Sequence, residues 1–208
     1  ALLPMLTFGQ SAATVVLKGG THVLWAPTFH YLDRILLPTL ERMGVRCKAS
    51  LRKWGYYPIG GGEVLLELQP AGPVQAIQLT DRGALEKVKV LSAVSNLPIS
   101  IAQRQLNRAL ERLKAEGLEP EPELVEGPSP GTGTFCFISV RFSNALGGFS
   151  SLGERGKPAE AVADEACDSL FFYLESGAAI EEHLADQLLV FASLARGHSS
   201  LTTSKVTH

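Results

Sequence analysis

Twice along the chain the hydrophobic pattern runs with period two, then 3.6, then two again, and each time a further strand follows. In the first pass "ATVVLKGGT" (13–21) reads as a strand ending in a Gly-Gly turn, and "FHYLDRILLPTLERMG" (29–44) as an amphipathic helix closed by a glycine. "VRCKASLRKWG" and "GEVLLELQP" supply two more strands, so one β-α-β-β unit ends near Pro73. In the second pass "KVKVLSAVSNLP" is a strand, "SIAQRQLNRALERLKAEG" a helix with Ser100 as N-cap, and "EPELVEG" and "GTFCFISVRFS" are strands. That helix is expected to bury Ile101, Leu106, Ala109, Leu110 and Leu113 on one face. "GGFSSLGERGK" reads as a short turn before a long helix from about Pro158 to Glu175; a last helix in "AIEEHLADQLLVFASLARG" and a half-strand follow. This order predicts an α+β fold with helices on one face of each sheet. No long polar linker separates the passes, which reads as an inserted unit rather than a second bead.

Inside the first pass, "KWGYYPIGGGEV" puts Gly60, Gly61 and Gly62 at the mouth of a strand. Each glycine loses more backbone freedom on folding than another residue would, so three in a row need a reason. One is a tight hairpin that requires positive φ; the other is something lying close against the backbone. No helix N-terminus follows to hold a phosphate, so the stretch is not a P-loop. The adjoining Trp54, Tyr56 and Tyr57 suit either base stacking or the core.

With 208 residues, 45% hydrophobic, the chain has enough apolar surface for a substantial core, and its formal charge of -2 exerts no global pull on a polyanion. Cys47, Cys136 and Cys167 are odd in number and form no CxxC pattern, which argues against a disulfide framework or a structural zinc site and suits a reducing cytoplasm. The apolar start "ALLPMLTF" is too short for a membrane span or a secretory core, and both ends read as cuts through a longer protein. His22, His30, His183, His198 and His208 offer no HxH or HxxxH spacing, so no metal-ligating residues are assigned. His22 follows a turn and faces ligand or solvent; His30 lies on a helix as a surface or packing residue. In "EEHLADQ", His183, Asp186 and Gln187 fall on one helical face, either to read a purine edge or sugar or simply to be solvated.

At "WGYYPIGGGEV" the sequence resembles the RNA 3'-terminal phosphate cyclase family, whose G-x-x-P-x-G-G-G motif is matched by Gly55, Pro58, Gly60, Gly61 and Gly62. "GGTHVLWAPTFHYLDRILLPTLERMG" and "EEHLADQLLVFASLA" are similar to further segments of that family, in the same order. The resemblance implies repeated β-α-β-α-β-β units, as in the enolpyruvyl transferases, with a small inserted α+β domain: core over 1–84, insert over 85–176, core again over 177–208. It implies a ligase that uses ATP and a divalent metal, Mg or Mn, to adenylate a histidine. AMP then passes to an RNA 3'-phosphate, and the 2'-hydroxyl attacks to leave a 2',3'-cyclic phosphate. The family's adenylate-contacting positions fall on His183, Leu184, Ala185, Asp186 and Gln187, with His183 where many members carry tyrosine. The nucleophile falls on His208, 25 residues after His183, or on the position after it. ATP and RNA with a 3'-phosphate are the expected partners, with no membrane, and the part of the family that holds the triphosphate and metal is expected to lie outside this chain, leaving it inactive alone. A non-catalytic relative acting in ribosome assembly is one alternative; an enolpyruvyl transferase, which shares the repeated units but lacks the P-x-G-G-G motif, is an alternative of a different class.

Overall fold

The computed structural model describes residues 2–70 and 72–207. A short helix, α1 (Leu2–Thr7), precedes β1 (Ala13–Gly19), which joins β2 (Cys47–Lys53) and β3 (Gly62–Leu68) in an antiparallel sheet ordered β1-β3-β2. Between β1 and β2 the expected helix runs in three pieces: α2 (Phe29–Tyr31), a π-helical turn (Leu32–Leu36) and α3 (Leu37–Arg42). Pro38 explains the middle piece. It has no N–H for the Arg34 carbonyl four residues back, and its ring would strike that carbonyl, so the backbone widens and Leu37 N–H bonds Leu32 O instead.

The glycine triplet meets its candidate reasons in part. Gly60 and Gly61 have the expected positive φ, +64° and +69°, but the connection is not a tight hairpin: residues 54–61 separate β2 from β3, and Gly60 N donates to Tyr56 O at 2.7 Å to close the turn. At Gly62 a Cβ would lie 2.7 Å from Gly55 N and 2.8 Å from Gly19 O, so the end of β1 presses against it. Trp54 and Tyr56 enter the core, while Tyr57 points outward.

The second pass forms β5 (Leu85–Ser95), α4 (Ile99–Ala115), β6 (Pro120–Glu126), β7 (Gly133–Phe142), β8 (Leu146–Leu152) and α5 (Ala159–Ser176). Its sheet is ordered β6-β5-β7-β8, with β5 and β6 parallel. The cap expectation at Ser100 fails. The helix begins at Ile99 after Pro98, already extended at φ -55° and ψ 130°, and no side chain caps it. α4 buries Ala102, Gln105, Leu106, Ala109 and Leu113; Ile101 and Leu110 lie on the flanks of that stripe and are only partly covered. The segment expected to be a turn is largely strand β8, disguised by Gly147 and Gly148. A Cβ on Gly148 would lie 2.7 Å from Ile35 Cγ1, so the strand gives up a side chain where the 29–42 helix approaches.

Successive residues of β7 face opposite ways. Cys136, Ile138 and Val140 join Val88, Val90, Leu106, Leu113, Val162 and Leu170 beneath α4 and α5. Phe135 and Phe137, with Leu91 and Ala93, pack instead with Tyr31, Ile35 and Leu40. Helices therefore cover both faces of this sheet rather than the one face expected. α6 (Glu182–Leu194) adds Leu184, Leu188 and Phe191 to the latter core. β4 (Gln78–Leu79) pairs in parallel with β9 (Ser200–Leu201), and an Ile180–Thr203 bridge carries the chain back beside the start of α6. Among the described residues no helix is long and apolar enough to cross a membrane.

Candidate functional site

Glu181 begins α6 and caps it. Its Oε1 accepts from Leu184 N at 2.8 Å and its Oε2 from His183 N at 2.7 Å. The Tyr31 hydroxyl donates to the same carboxylate in a short hydrogen bond, fastening the first turn of α6 to α2. Glu181 is only 3% exposed. Burial pushes its carboxyl above the ordinary value, and burial with the neighbouring carboxylate pushes the Tyr31 phenol well above its own.

Beyond the cap, helical spacing sorts the expected residues. His183 and Asp186 are exposed and Gln187 is half-buried, whereas Leu184 and Ala185 belong to the core and turn their side chains inward. Gln187 Nε2 donates to the His183 carbonyl at 3.1 Å, within the helix. Asp186 Oδ1 accepts from Thr207 Oγ1 at 2.5 Å, which ties the chain's final stretch to α6. His208 lies outside the described residues.

A cleft of about 970 Å³ opens between the sheet of β5–β8 and the first turn of α6. Glu181, Glu182 and His183 line one side with Ser204 and Lys205; Gly148–Leu152 of β8 and the α5 residues Glu165, Asp168 and Phe172 line another; Val23–Pro27 forms the rim beside Tyr31. Lys157 is held in this wall, with Nζ donating to Glu165 Oε2 at 2.5 Å and to Leu152 O at 3.1 Å, while Ser151 Oγ donates to the same Glu165 oxygen at 2.7 Å.

His22 does not face ligand or solvent. It is 1% exposed, hydrogen-bonded to Thr21 Oγ1 at 2.8 Å and to His30 Nδ1 at 3.0 Å, and stacked on Trp54 with ring centroids 4.7 Å apart. Burial, then His30, pushes it down to about 3; burial, then Arg34, pushes His30 to about 4. Both are neutral core groups at pH 7. The three thiols are likewise pushed up by burial, Cys47 and Cys167 to about 11, so none is a ready thiolate nucleophile. Among the described residues no group of three or more His, Cys, Asp or Glu side chains converges as a metal site.

Glu181, Tyr31, Lys157 and Trp25 line the cleft without having been singled out from the sequence. For Glu181 a signal existed: the buried stripe of Leu184, Ala185, Leu188 and Phe191 extends back through position 181, so a carboxylate there had to find partners.

A sequence profile of the RNA 3'-terminal phosphate cyclase family matches residues 1–208. A curated protein of Methylococcus capsulatus named RNA 3'-terminal phosphate cyclase is 40% identical over 209 residues, covering 99% of this chain and 57% of the relative. Proteins of the same name from Trichormus variabilis and Archaeoglobus fulgidus are 39% and 42% identical, each over 99% of this chain and over 59% and 60% of their own lengths. The chain thus spans less than two thirds of these relatives.

Proposed function

Because the chain belongs to the RNA 3'-terminal phosphate cyclase family, we propose that it forms part of an ATP-dependent enzyme converting an RNA 3'-phosphate into a 2',3'-cyclic phosphate. The 29–42 helix with the sheet β1-β3-β2 is read as part of the repeated β-α-β-α-β-β core, and residues 85–176 as its insert. A neutral imidazole at His208 or the position after it attacks the α-phosphorus of ATP and expels pyrophosphate. An oxygen of the RNA 3'-phosphate then takes the AMP and frees the imidazole. The neighbouring 2'-hydroxyl attacks the phosphorus of the activated 3'-phosphate, loses its proton and expels AMP.

The observation that carries this reading is the bond between Asp186 and Thr207, which brings the residue before His208 onto the helix of the adenylate-contacting positions. Of the five positions only His183 lines the cleft, where its ring is offered to the base; Asp186 and Gln187 lie on the same helical face outside that lining, and Leu184 and Ala185 turn into the core and anchor the helix. Mg or Mn is implied by the family, yet among the described residues no group of donors forms a metal cluster.

The test is covalent trapping. The full-length protein is incubated with ATP labelled in the α-phosphate, and the acid-labile, alkali-stable adduct is mapped by mass spectrometry. AMP on His208 or the next residue, with phosphatase-resistant RNA ends formed on adding 3'-phosphorylated RNA, is the expected result. An adduct on His22, His30 or His198, or no adduct at all, overturns the reading.

A further inference from the structure

The five residues Val23–Pro27 form a loop closed at its base and bare at its tip. Thr21 N and His22 N both donate to Gly55 O, at 2.8 and 3.0 Å, and Phe29 N donates across the loop to Thr21 O at 3.0 Å. The His22–His30 hydrogen bond of 3.0 Å spans the same gap, and Thr28 is fully buried as the cap of α2. With both ends fixed, the five-residue tip is kept beside the cleft. At that tip Trp25 has φ +59°, a left-handed conformation that bulky side chains avoid, and its side chain is 100% exposed.

An indole left wholly in water forgoes the burial that normally stabilises it. The chain's other tryptophan, Trp54, is buried against His22 and Phe135, so the fold has room for indoles where packing wants them. Trp25 lies instead on the rim of the cleft that also holds His183 and Lys205. A flat ring on a loop anchored at both ends beside a cleft has the form of a stacking platform.

Resting on the cyclase reading above, we propose that Trp25 stacks on a nucleobase at the 3' end of the RNA substrate and positions its terminal phosphate in the cleft. The rim suits a polymer, which must leave the cleft, whereas a mononucleotide fits within it. An indole face also accepts every base, since each presents a π surface, and so gives grip without demanding a sequence. Exposed Lys205 is the cation on this cleft that faces a phosphate, but Glu154, Glu165, Asp168, Glu181 and Glu182 line it too, so the grip on the RNA rests on the indole rather than on charge.

The test uses the full-length protein and a short fluorescein-labelled RNA carrying a 3'-phosphate. Trp25→Ala should weaken RNA binding about ten- to a hundredfold, the range expected for losing one stacked base. Trp25→Phe should recover most of it, and both variants should still form the AMP adduct. Unlabelled RNA should quench the tryptophan emission that Trp25→Phe lacks, and ATP alone should not. RNA affinity unaltered in Trp25→Ala overturns the proposal, as does quenching by ATP with loss of the adduct, which would assign the ring to adenine. A wild-type protein that binds RNA through Trp25 but forms no adduct sinks the cyclase reading and leaves the nucleobase platform standing.

Discussion

His22 and His30 share one hydrogen bond, and that bond works only while at most one proton lies between Nε2 and Nδ1. Around them stand Thr21, Trp54, Tyr56 and Phe135, with Arg34 and Glu123 as the charged groups facing His30. Their folded values, about 3 and about 4, lie below the unfolded 6.5, so the unfolded chain takes up protons first as pH falls. Stability from the pair is therefore complete above about pH 6.5 and declines on acidification towards the folded values, by up to ~1.4 kcal/mol per pH unit for each ring. In the window from pH 6.5 to 5 Glu123 stays ionised, because its hydrogen bond to Arg34 holds it below the ordinary carboxylate value, whereas Glu181, pushed up by burial, takes up its proton first in the folded chain and opposes the loss. The comparison that isolates the rings is between variants: on acidification across that window the urea midpoint of His22→Phe should fall less steeply than that of the wild type, and equal slopes would count against the paired-imidazole account. Sequence spacing had put His22 in a turn because residues 22 and 30 meet across a loop whose closure no local period encodes. The exposure of His183 and Asp186, by contrast, follows from helical spacing alone and was legible.

At the level of elements, the Glu181 carboxylate joins α2 to α6 by serving the two backbone donors of one and the Tyr31 hydroxyl of the other. Glu181→Ala removes a helix cap, about 1 kcal/mol, and strands a buried phenol, about 1 to 3 kcal/mol. We therefore expect a loss of about 2 to 4 kcal/mol in chemical denaturation. Tyr31→Phe should cost less, and the double variant should lose less than the two singles combined, because no orphaned hydroxyl remains. Strictly additive losses would mean that the two side chains do not act as a pair. Most strands and helices could be read from period and turn residues, including the positive φ of Gly60 and Gly61, though not the length of the connection they close. β8 could not, since Gly147 and Gly148 erase its alternation for the sake of close approach by Ile35 and Val140. The π-helical turn had a visible cause in Pro38, but the proline alone does not say whether a helix kinks, ends or widens.

For the whole molecule, the order of units was legible in the repeated pattern, whereas the covering of both sheet faces was hidden behind an assumed one-sided sheet. "GTFCFISV" did hold the signal: it is apolar at odd and even positions alike, as a strand buried on both sides must be. Residues 85–176 carry a core of their own under α4 and α5, and α4 packs on α5 and the sheet rather than on the 29–42 helix. Their seam with the rest holds Phe135 and Phe137, the paired Arg34–Glu123 bonds of 2.8 and 3.0 Å, and Arg82 donating to the carbonyls of Tyr173 and Leu174. The cleft opens along this seam, so the two sides flex about the site if 85–176 is a separable domain, as we propose. Phe137 and Ile138 are neighbours in β7 that face the seam and the inner core respectively. Each truncation to alanine should cost about 2 to 5 kcal/mol. Native-state hydrogen exchange separates their effects: Phe137→Ala should lower protection in α6 and the 29–42 helix while α4 retains its own, and Ile138→Ala should release α4 and α5 first. Uniform loss across all of these helices in both variants would make the molecule a single cooperative unit and remove the domain boundary.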